Sequence, residues 1–486
     1  STSSVTLTDA TGLVTGMKIQ VGIINTSSPA GIENMLLLSK TGTNTFNVAR
    51  GWDGTSATSF SAGTPAIVEG GVTGVMNVNG SDTIYRDFEV TYTGLPRAFT
   101  YYVFADAQGR IGARPEGFEI AGPRTKFINL VVHDNREAFD IIKEATDVEF
   151  YGNVVYNNGQ VDTMRGHGHG LYMQNDTGTK KVTDNISANN FATGMKAFGV
   201  NGFANNIEYT GNISLGNGTP AEYQGSPAAE TIETNIFAGT GSNPLHNIKV
   251  ISNFVYHKDG TAPSFGNMGM GWNEDTANIS LTVQNNYIAG GNIPLRMRGW
   301  SSATVTGNTM YGSSVTGQDN NGVVDIITGP ATSRSYTFNN NTYYYSGSSL
   351  PFIYDTARDF STWKSLVGDG NSTYTAGRPT GIKVFVRPNL YQAGRAHIVI
   401  YNWNNASSVN VDLSSVGLSN GQSYEIRNAL NYFGAPVFSG TYSASNPVIS
   451  LSMTSAAATA VVTPINHSFT PATTLPQFGV FVVVPR

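Results

Sequence analysis

Short runs of alternating apolar and polar residues recur along the middle of this chain. Phe139-Asp140-Ile141-Ile142, Gly170-Leu171-Tyr172-Met173-Gln174, Gly194-Met195-Lys196-Ala197-Phe198, Gly269-Met270-Gly271-Trp272, Leu295-Arg296-Met297-Arg298 and Val324-Asp325-Ile326 share a period of two. That period marks strands with one buried face. A second unit recurs between them: an apolar residue, one or two small or polar residues, an asparagine, then another short alternating strand. Asn129, Asn153, Asn185, Asn212, Asn253, Asn286, Asn308 and Asn341 hold the asparagine position. Separations of roughly 20 to 45 residues are those of a solenoid. The fold class this predicts is all-β, a right-handed parallel β-helix over residues 73–350, with three strands and three turns per coil. Asparagine suits the bends because it tolerates left-handed backbone angles and bonds to neighbouring backbone. In stacked coils it can also pair with its equivalents as a ladder.

The pattern changes at both ends. Residues 1–72 read as a separate small β module, with strands around Val5, Ile19, Leu36 and Phe46. Residues 351–379 read as a cap, with a helix-like stretch from Asp355 to Leu366 that would close the open end of the solenoid. Residues 380–486 carry longer alternating strands and read as an antiparallel β-sandwich.

Parity along the alternating strands sorts their side chains. Ile141, Leu171, Met173, Met195, Ala197, Met270, Leu295 and Met297 should fill the lumen. Asp140, Tyr172, Lys196, Arg296, Arg298 and Asp325 should then face outward. Coils stack about 4.8 Å apart, so these residues would form one polar wall suited to a long polysaccharide. Its bland alternative is the solvated half of each strand. The run Arg165-Gly166-His167-Gly168-His169-Gly170 holds two of the seven histidines. On an extended segment both imidazoles would point to one side, as structural groups, as a base and its partner, or as two metal ligands with Asp162 as third. Trp272, Trp300 and Tyr343-Tyr344-Tyr345 are candidate sugar-stacking residues.

Composition narrows the options. A net charge of -5 and a pI near 5.8 give no basic stripe, which argues against nucleic acid as a partner. There is no cysteine, so disulfides and thiolate chemistry are excluded. No apolar run is long enough for a membrane span. No cofactor and no metal is expected; calcium stays open, without a repeated Asp-containing loop to hold it. The start at Ser1, without a charged-then-apolar leader, fits either a cleaved signal peptide or an excised piece.

Two resemblances add to this. Ala49-Arg50-Gly51-Trp52-Asp53-Gly54-Thr55, followed by Ser61-Ala62-Gly63-Thr64-Pro65, resembles a small β module of phage tail and bacterial surface proteins. Residues 115–215, with His167-Gly168-His169-Gly170-Leu171-Tyr172-Met173-Gln174-Asn175 and then Gly178-Thr179-Lys180, resemble secreted bacterial right-handed parallel β-helix repeat proteins. The segment from Val384 to Phe433 is similar to the sandwich attached to them. The wider pectate-lyase-like superfamily holds lyases, hydrolases, epimerases and phage depolymerases. The resemblance therefore implies a secreted or surface protein, with a polysaccharide as partner. Lys196 stands where it leads one to expect a histidine.

Three function classes follow. A polysaccharide lyase would use Arg296 or Arg298 to neutralise a uronate, Lys196, His167 or His169 as base, and Tyr172 as proton donor. Asp140, Arg165, Arg298, Trp272 and Trp300 would contact substrate. A glycoside hydrolase would instead need a carboxylate pair, drawn from Asp140, Glu274, Asp275 and Asp325. A non-catalytic filament, spike or adhesin subunit would self-associate through the solenoid ends or the terminal strands Ser1 to Leu7 and Phe478 to Arg486. A pure carbohydrate-binding array is the third class.

Overall fold

A computed structural model describes residues 74–92, 115–161, 166–200, 202–220, 233–273, 277–318, 320–330, 333–454, 458–460 and 471–486, with parts of the first 69. The middle of the chain is a parallel β-helix. Each coil lays down three strands, and equivalent strands of successive coils pair in parallel; the sheets have eleven, nine and ten strands, the last of the eleven, Thr356–Arg358, folding back antiparallel. In chain order, the first sheet begins with Gly74–Val78, the second with Ile84–Arg86 and the third with Glu89–Thr91. Every apolar residue assigned to the lumen from its parity is buried there, from Ile141 to Met297. Rings stack along the axis as well, with Tyr85 on Phe127 at 5.2 Å and Phe127 on Phe150 at 5.1 Å.

Asparagine ladders hold the coils in register. At the bend between second and third sheets, Nδ2 of Asn153 donates to Oδ1 of Asn185 at 2.8 Å. The same bond repeats through Asn212, Asn253, Asn286 and Asn308 to Asn341, at 2.9 to 3.0 Å. Each backbone N–H from Asn153 to Asn308 also donates to the next Oδ1, and that of Asn341 to Ser372 Oγ, so the ladder amides are satisfied although buried. Asn129 does not belong to this ladder. Strand register aligns it with Gly152, and Leu130 with Asn153. Asn129, Gly152, Asp184, Gly211, Ser252, Asn285, Gly307 and Asn340 are the left-handed residues, with φ from 53° to 69°. The bend angle and the ladder bond thus fall on adjacent residues, not on one. A second ladder, not foreseen, runs from Asn135 through Asn158, Asn190, Asn217 and Asn235 to Asn267 at the next bend.

The ends are closed differently. Helix Phe360–Val367 is shorter than the sequence suggests, capped by Asp359, whose side chain accepts from Thr362 N, and by Gly368 at φ 66°. Its Trp363 is fully buried and stacks on Phe352 at 4.9 Å, covering the last coil. Solenoid pairing continues into this region, because Thr373–Ala376 pairs in parallel with Thr342–Tyr345. Within that last strand Tyr343 and Tyr345 are buried and Tyr344 only half so, which leaves little of the row for sugar.

The C-terminal sandwich sets a five-stranded sheet against the pair Ser408–Asp412 and Val448–Ser452 around a shared core. Its other face lies on the third sheet of the solenoid. Val399, Tyr401, Phe478, Val480 and Val482 pack there against Ile186, Ile213, Phe254, Tyr256 and Tyr287. Tyr401 Oη donates to Tyr287 O at 3.0 Å, and Trp403 Nε1 donates to Tyr287 Oη at 2.8 Å. Strand Phe478–Pro485 lies between two neighbours, and Thr2–Thr6 pairs with Thr45–Trp52 in the N-terminal five-stranded sheet. The closing strand therefore has both edges occupied within its own sheet. The Asp53-Gly54 corner of the N-terminal module lies outside the described residues. So do residues 93–114 and 221–232, which connect third-sheet strands to first-sheet strands.

Replacing Asn212 by Ala removes bonds to Asn253 and Val182 and strips the acceptor from Asn185. Buried groups left unpaired cost about 1–3 kcal/mol each, so the expected loss is about 3 kcal/mol or more. Thr304→Ala, at an exposed position of the second sheet, should stay within about 0.5 kcal/mol. Denaturant melts of the two variants check the difference; equal effects would show that the ladder is not a main support.

Candidate functional site

The sandwich covers the third sheet, which leaves the first sheet as the wall carrying the outward row read from the sequence. Strand register makes that row explicit: Glu119, Asp140, Tyr172, Lys196, Phe237, Gly269, Arg296 and Asp325 occupy equivalent positions on successive coils. Neighbours in the row stand about 4.8 Å apart. Asp140, Tyr172 and Lys196 are thus consecutive, as parity and coil spacing required.

At the N-terminal end of the row the chain gathers carboxylates. Glu116, Glu137 and Asp140 each place an oxygen within 4.8 Å of the others. Glu116 is buried and ion-paired with Arg136, while Glu137 and Asp140 are half-buried. Burial pushes the Asp140 carboxyl up to about 6, helped by Glu119 and opposed by Arg136 and Lys180. Lys180 reaches under the row from the second sheet and donates to Ile142 O at 2.7 Å. Burial brings its ammonium down to about 7, against the pull of Asp140 and Glu144. Among the described residues this cluster also has the spacing to share a cation, but Arg136 already supplies it with positive charge. Neither Glu116 nor Glu137 was foreseen. Both precede outward positions at the strand ends, where alternation gives no parity to read. Glu274 and Asp275, two other expected carboxylates, lie outside the described residues, as do Arg165 and Asp162.

The histidine pair is split. Gly168 between them has φ 101°, and a side chain there would meet Arg136 O at 2.0 Å. The backbone turns at that glycine, so the two imidazoles do not share one extended face. His167 sits in a short hairpin opposite Gln160. His169 enters the row: its ring stacks on Tyr172 at 5.3 Å, and its Nδ1 accepts from Thr193 N at 3.0 Å. Thr193 Oγ1 donates to Glu233, whose carbonyl accepts from buried His257 Nε2 at 3.2 Å. With Nδ1 an acceptor, the neutral His169 ring carries its proton on Nε2.

The C-terminal half of the row differs from expectation in two places. Arg296 is buried, bonded to Asp325 at 2.8 Å and to Ser264 O at 2.9 Å. It lies three coils from Lys196, about 14 Å at the coil spacing. One sugar ring cannot touch both, so Arg296 does not neutralise a group on which Lys196 acts. Trp300 is fully buried in the lumen with Nε1 donating to Met270 O, and it offers no surface to a sugar. Its strand has ended, and the chain has turned inward to an isolated bridge with Asn278. Trp272 and Arg298 do lie on the outer side, among rings not singled out from the sequence. Lys196 Nζ stands 5.0 Å from the Phe198 ring, and the Arg298 guanidinium 5.6 Å from Phe265.

Arg296→Ala would strand a buried carboxylate, at a cost of about 3–5 kcal/mol, and removing Asp325 as well should restore part of it. Thermal melts of the single and double variants test this; an Arg296→Ala protein as stable as the parent would return Arg296 to the catalytic candidates. Comparison with known proteins finds no matching family model and no matching curated protein. Among solved structures, the tailspike protein gp49 from Pseudomonas phage LKA1 is similar at 12% identity, over 99% of this chain and 76% of that one, with a TM-score of 0.18. No helix of the described residues is long and apolar enough to cross a membrane.

Proposed function

We propose that this chain is an extracellular carbohydrate-active protein of the pectate-lyase-like kind that hydrolyses glycosidic bonds along the first sheet. The observation that carries the reading is the carboxylate cluster of Glu116, Glu137 and Asp140, with Asp140 pushed up to about 6. Glycoside hydrolysis needs one protonated and one ionised carboxyl, and separations near 5 Å belong to enzymes that retain anomeric configuration. Asp140 gives its proton to the glycosidic oxygen as the C1–O bond breaks, and Glu137 attacks C1. Water then opens the glycosyl ester, returning its proton to Asp140. Glu116 is held by Arg136 and tunes the pair. Tyr172, with His169 stacked on it, forms the adjacent sugar contact. A lyase is less well supported, because Arg296 is engaged with Asp325 and Arg298, on the same strand, lies three coils from Lys196.

Incubation with acidic polysaccharides should release reducing ends without the ultraviolet absorbance of an unsaturated product. Asp140→Asn should lower the rate by about 10²–10⁴-fold. Absorbance would instead identify a lyase, and no product from any polymer would reject both enzymes in favour of a structural or adhesive role.

The acid must hold its proton, so activity should fall about tenfold per unit as pH rises above about 6. The folded Asp140 binds its proton more tightly than an unfolded aspartate, near 3.9. Its contribution to stability is therefore lost as pH rises between about 4 and about 6. Asp140→Asn should accordingly melt no lower than the parent at neutral pH, which a pair of thermal scans would check.

A further inference from the structure

Four aromatic rings lie on the outside of the solenoid, where water-facing residues are expected. Phe198, Phe237, Phe265 and Trp272 come from three coils of the first sheet and from the turn that leads into one of them. Phe265 and Trp272 rings are 4.3 Å apart, Phe198 and Trp272 5.4 Å, and Phe237 and Phe265 5.5 Å. Phe237 is buried beneath the rest, while Phe198, Phe265 and Trp272 remain half-buried. Glycines make room for them. A side chain at Gly239 would strike Phe237 at 2.6 Å and Trp272 at 2.8 Å, and one at Gly269 would strike Phe237 at 2.9 Å. Apolar surface gathered outside a core commonly marks a contact site.

Two cations border the rings, Lys196 beside Phe198 and Arg298 over Phe265. The first-sheet strands that carry this patch, Met195–Gly199, Ile236–Thr240, Met268–Met270 and Leu295–Arg298, contain no carboxylate. Arg296 is balanced by Asp325. Among the described residues the wall thus changes along its length, from carboxylates around Asp140 to rings bordered by Lys196 and Arg298. Two coils, about 10 Å, separate Asp140 from Lys196, and five separate it from Arg298.

We propose that the Phe198–Phe265–Trp272 platform, with Lys196 and Arg298, is a binding subsite for an anionic sugar residue of a glycan laid along the first sheet. This deepens the function proposed above and rests on its premise that the first sheet is the glycan-binding wall. Ring faces take the C–H face of a pyranose, and the ammonium and guanidinium take its carboxylate or sulfate. An anionic sugar is repelled from the carboxylates at Asp140 and drawn to this end, which sets the direction in which the chain lies.

The test uses the inactive Asp140→Asn protein, so that binding is read without cleavage. Calorimetry with polygalacturonate, alginate and dextran sulfate should show binding to at least one. For a carboxylated polymer, the carboxyl-reduced form should bind about tenfold or more weakly, since a charged hydrogen bond is lost. Trp272→Ala and Arg298→Met should each weaken binding about threefold to tenfold while melting within a few degrees of the parent. Should either variant fail to fold, Lys196→Met with the same polymers serves in its place. Binding of dextran sulfate alone, still sensitive to Trp272, would assign the anion as sulfate. Equal binding of native and carboxyl-reduced polymers, indifference to the ring and cation variants, or no binding to any polymer would overturn the subsite. Cleavage by the wild type with such indifference would overturn the subsite alone, and ring-dependent binding without cleavage would overturn the hydrolase alone.

Discussion

Side-chain amide pairing across coils is the constraint on which the rest depends. A parallel coil has no hairpin to fix its register, and a slip of one residue would turn every lumen side chain outward. The ladder asparagines prevent that slip, because each amide bonds both to the amide one coil on and to nearby backbone. In a lumen without water, an asparagine out of step would leave several buried groups unpaired. The two ladders occupy two of the three bends, and the second of these bends also carries the loops. That is where Glu116, the Gln160–His167 hairpin and the turn before His169 sit, at the entry to the first sheet.

The sandwich adds a second restriction. It buries the apolar outer face of the third sheet, so residues such as Tyr256 and Tyr287 that would look like a sugar-stacking stripe in sequence are interface. Polar bonds across it, including Arg387 to Asp184 at 2.5 Å, fix the sandwich to the left-handed residues of the bends. Tyr156, Phe254, Tyr256, Tyr287 and Tyr311 are thereby accounted for without any ligand. The rings left on the first sheet have no such cover among the described residues.

What could be read from the sequence follows from which signals are periodic. Parity placed Asp140, Tyr172 and Lys196 in one row because each sits inside a strand flanked by lumen residues. Trp300, a sugar-stacking candidate by residue type alone, lies just past a strand end, where the chain changes direction and alternation gives no guide. Asn129 reads as a ladder residue in the sequence because asparagine serves two purposes at the bend, and only pairing distinguishes the left-handed position from the ladder position. Glu116 and Glu137 were invisible for a different reason. They lie 21 residues apart at the entries to two successive coils, and only stacking brings them together. Phe265 carries no periodic signal at all, since it enters the platform from a turn.

The division between ladder and row has a chemical consequence. Stability is carried by buried amides and lumen side chains, whose geometry repeats from coil to coil, so the outward row is released from structural duty except where it is buried, at Phe237, Arg296 and Asp325. Charge can then change sign along the axis, from the carboxylates near Asp140 to the cations beyond Lys196, without cost to packing. A compact site must crowd opposite charges into one pocket, where they pair and neutralise each other, as Arg296 and Asp325 do here. A wall spaced at the coil repeat keeps Asp140 about 10 Å from Lys196, far enough that solvent screening leaves each group its own character. Burial holds the Asp140 carboxyl up at about 6, and Lys196 at that distance does not draw it down.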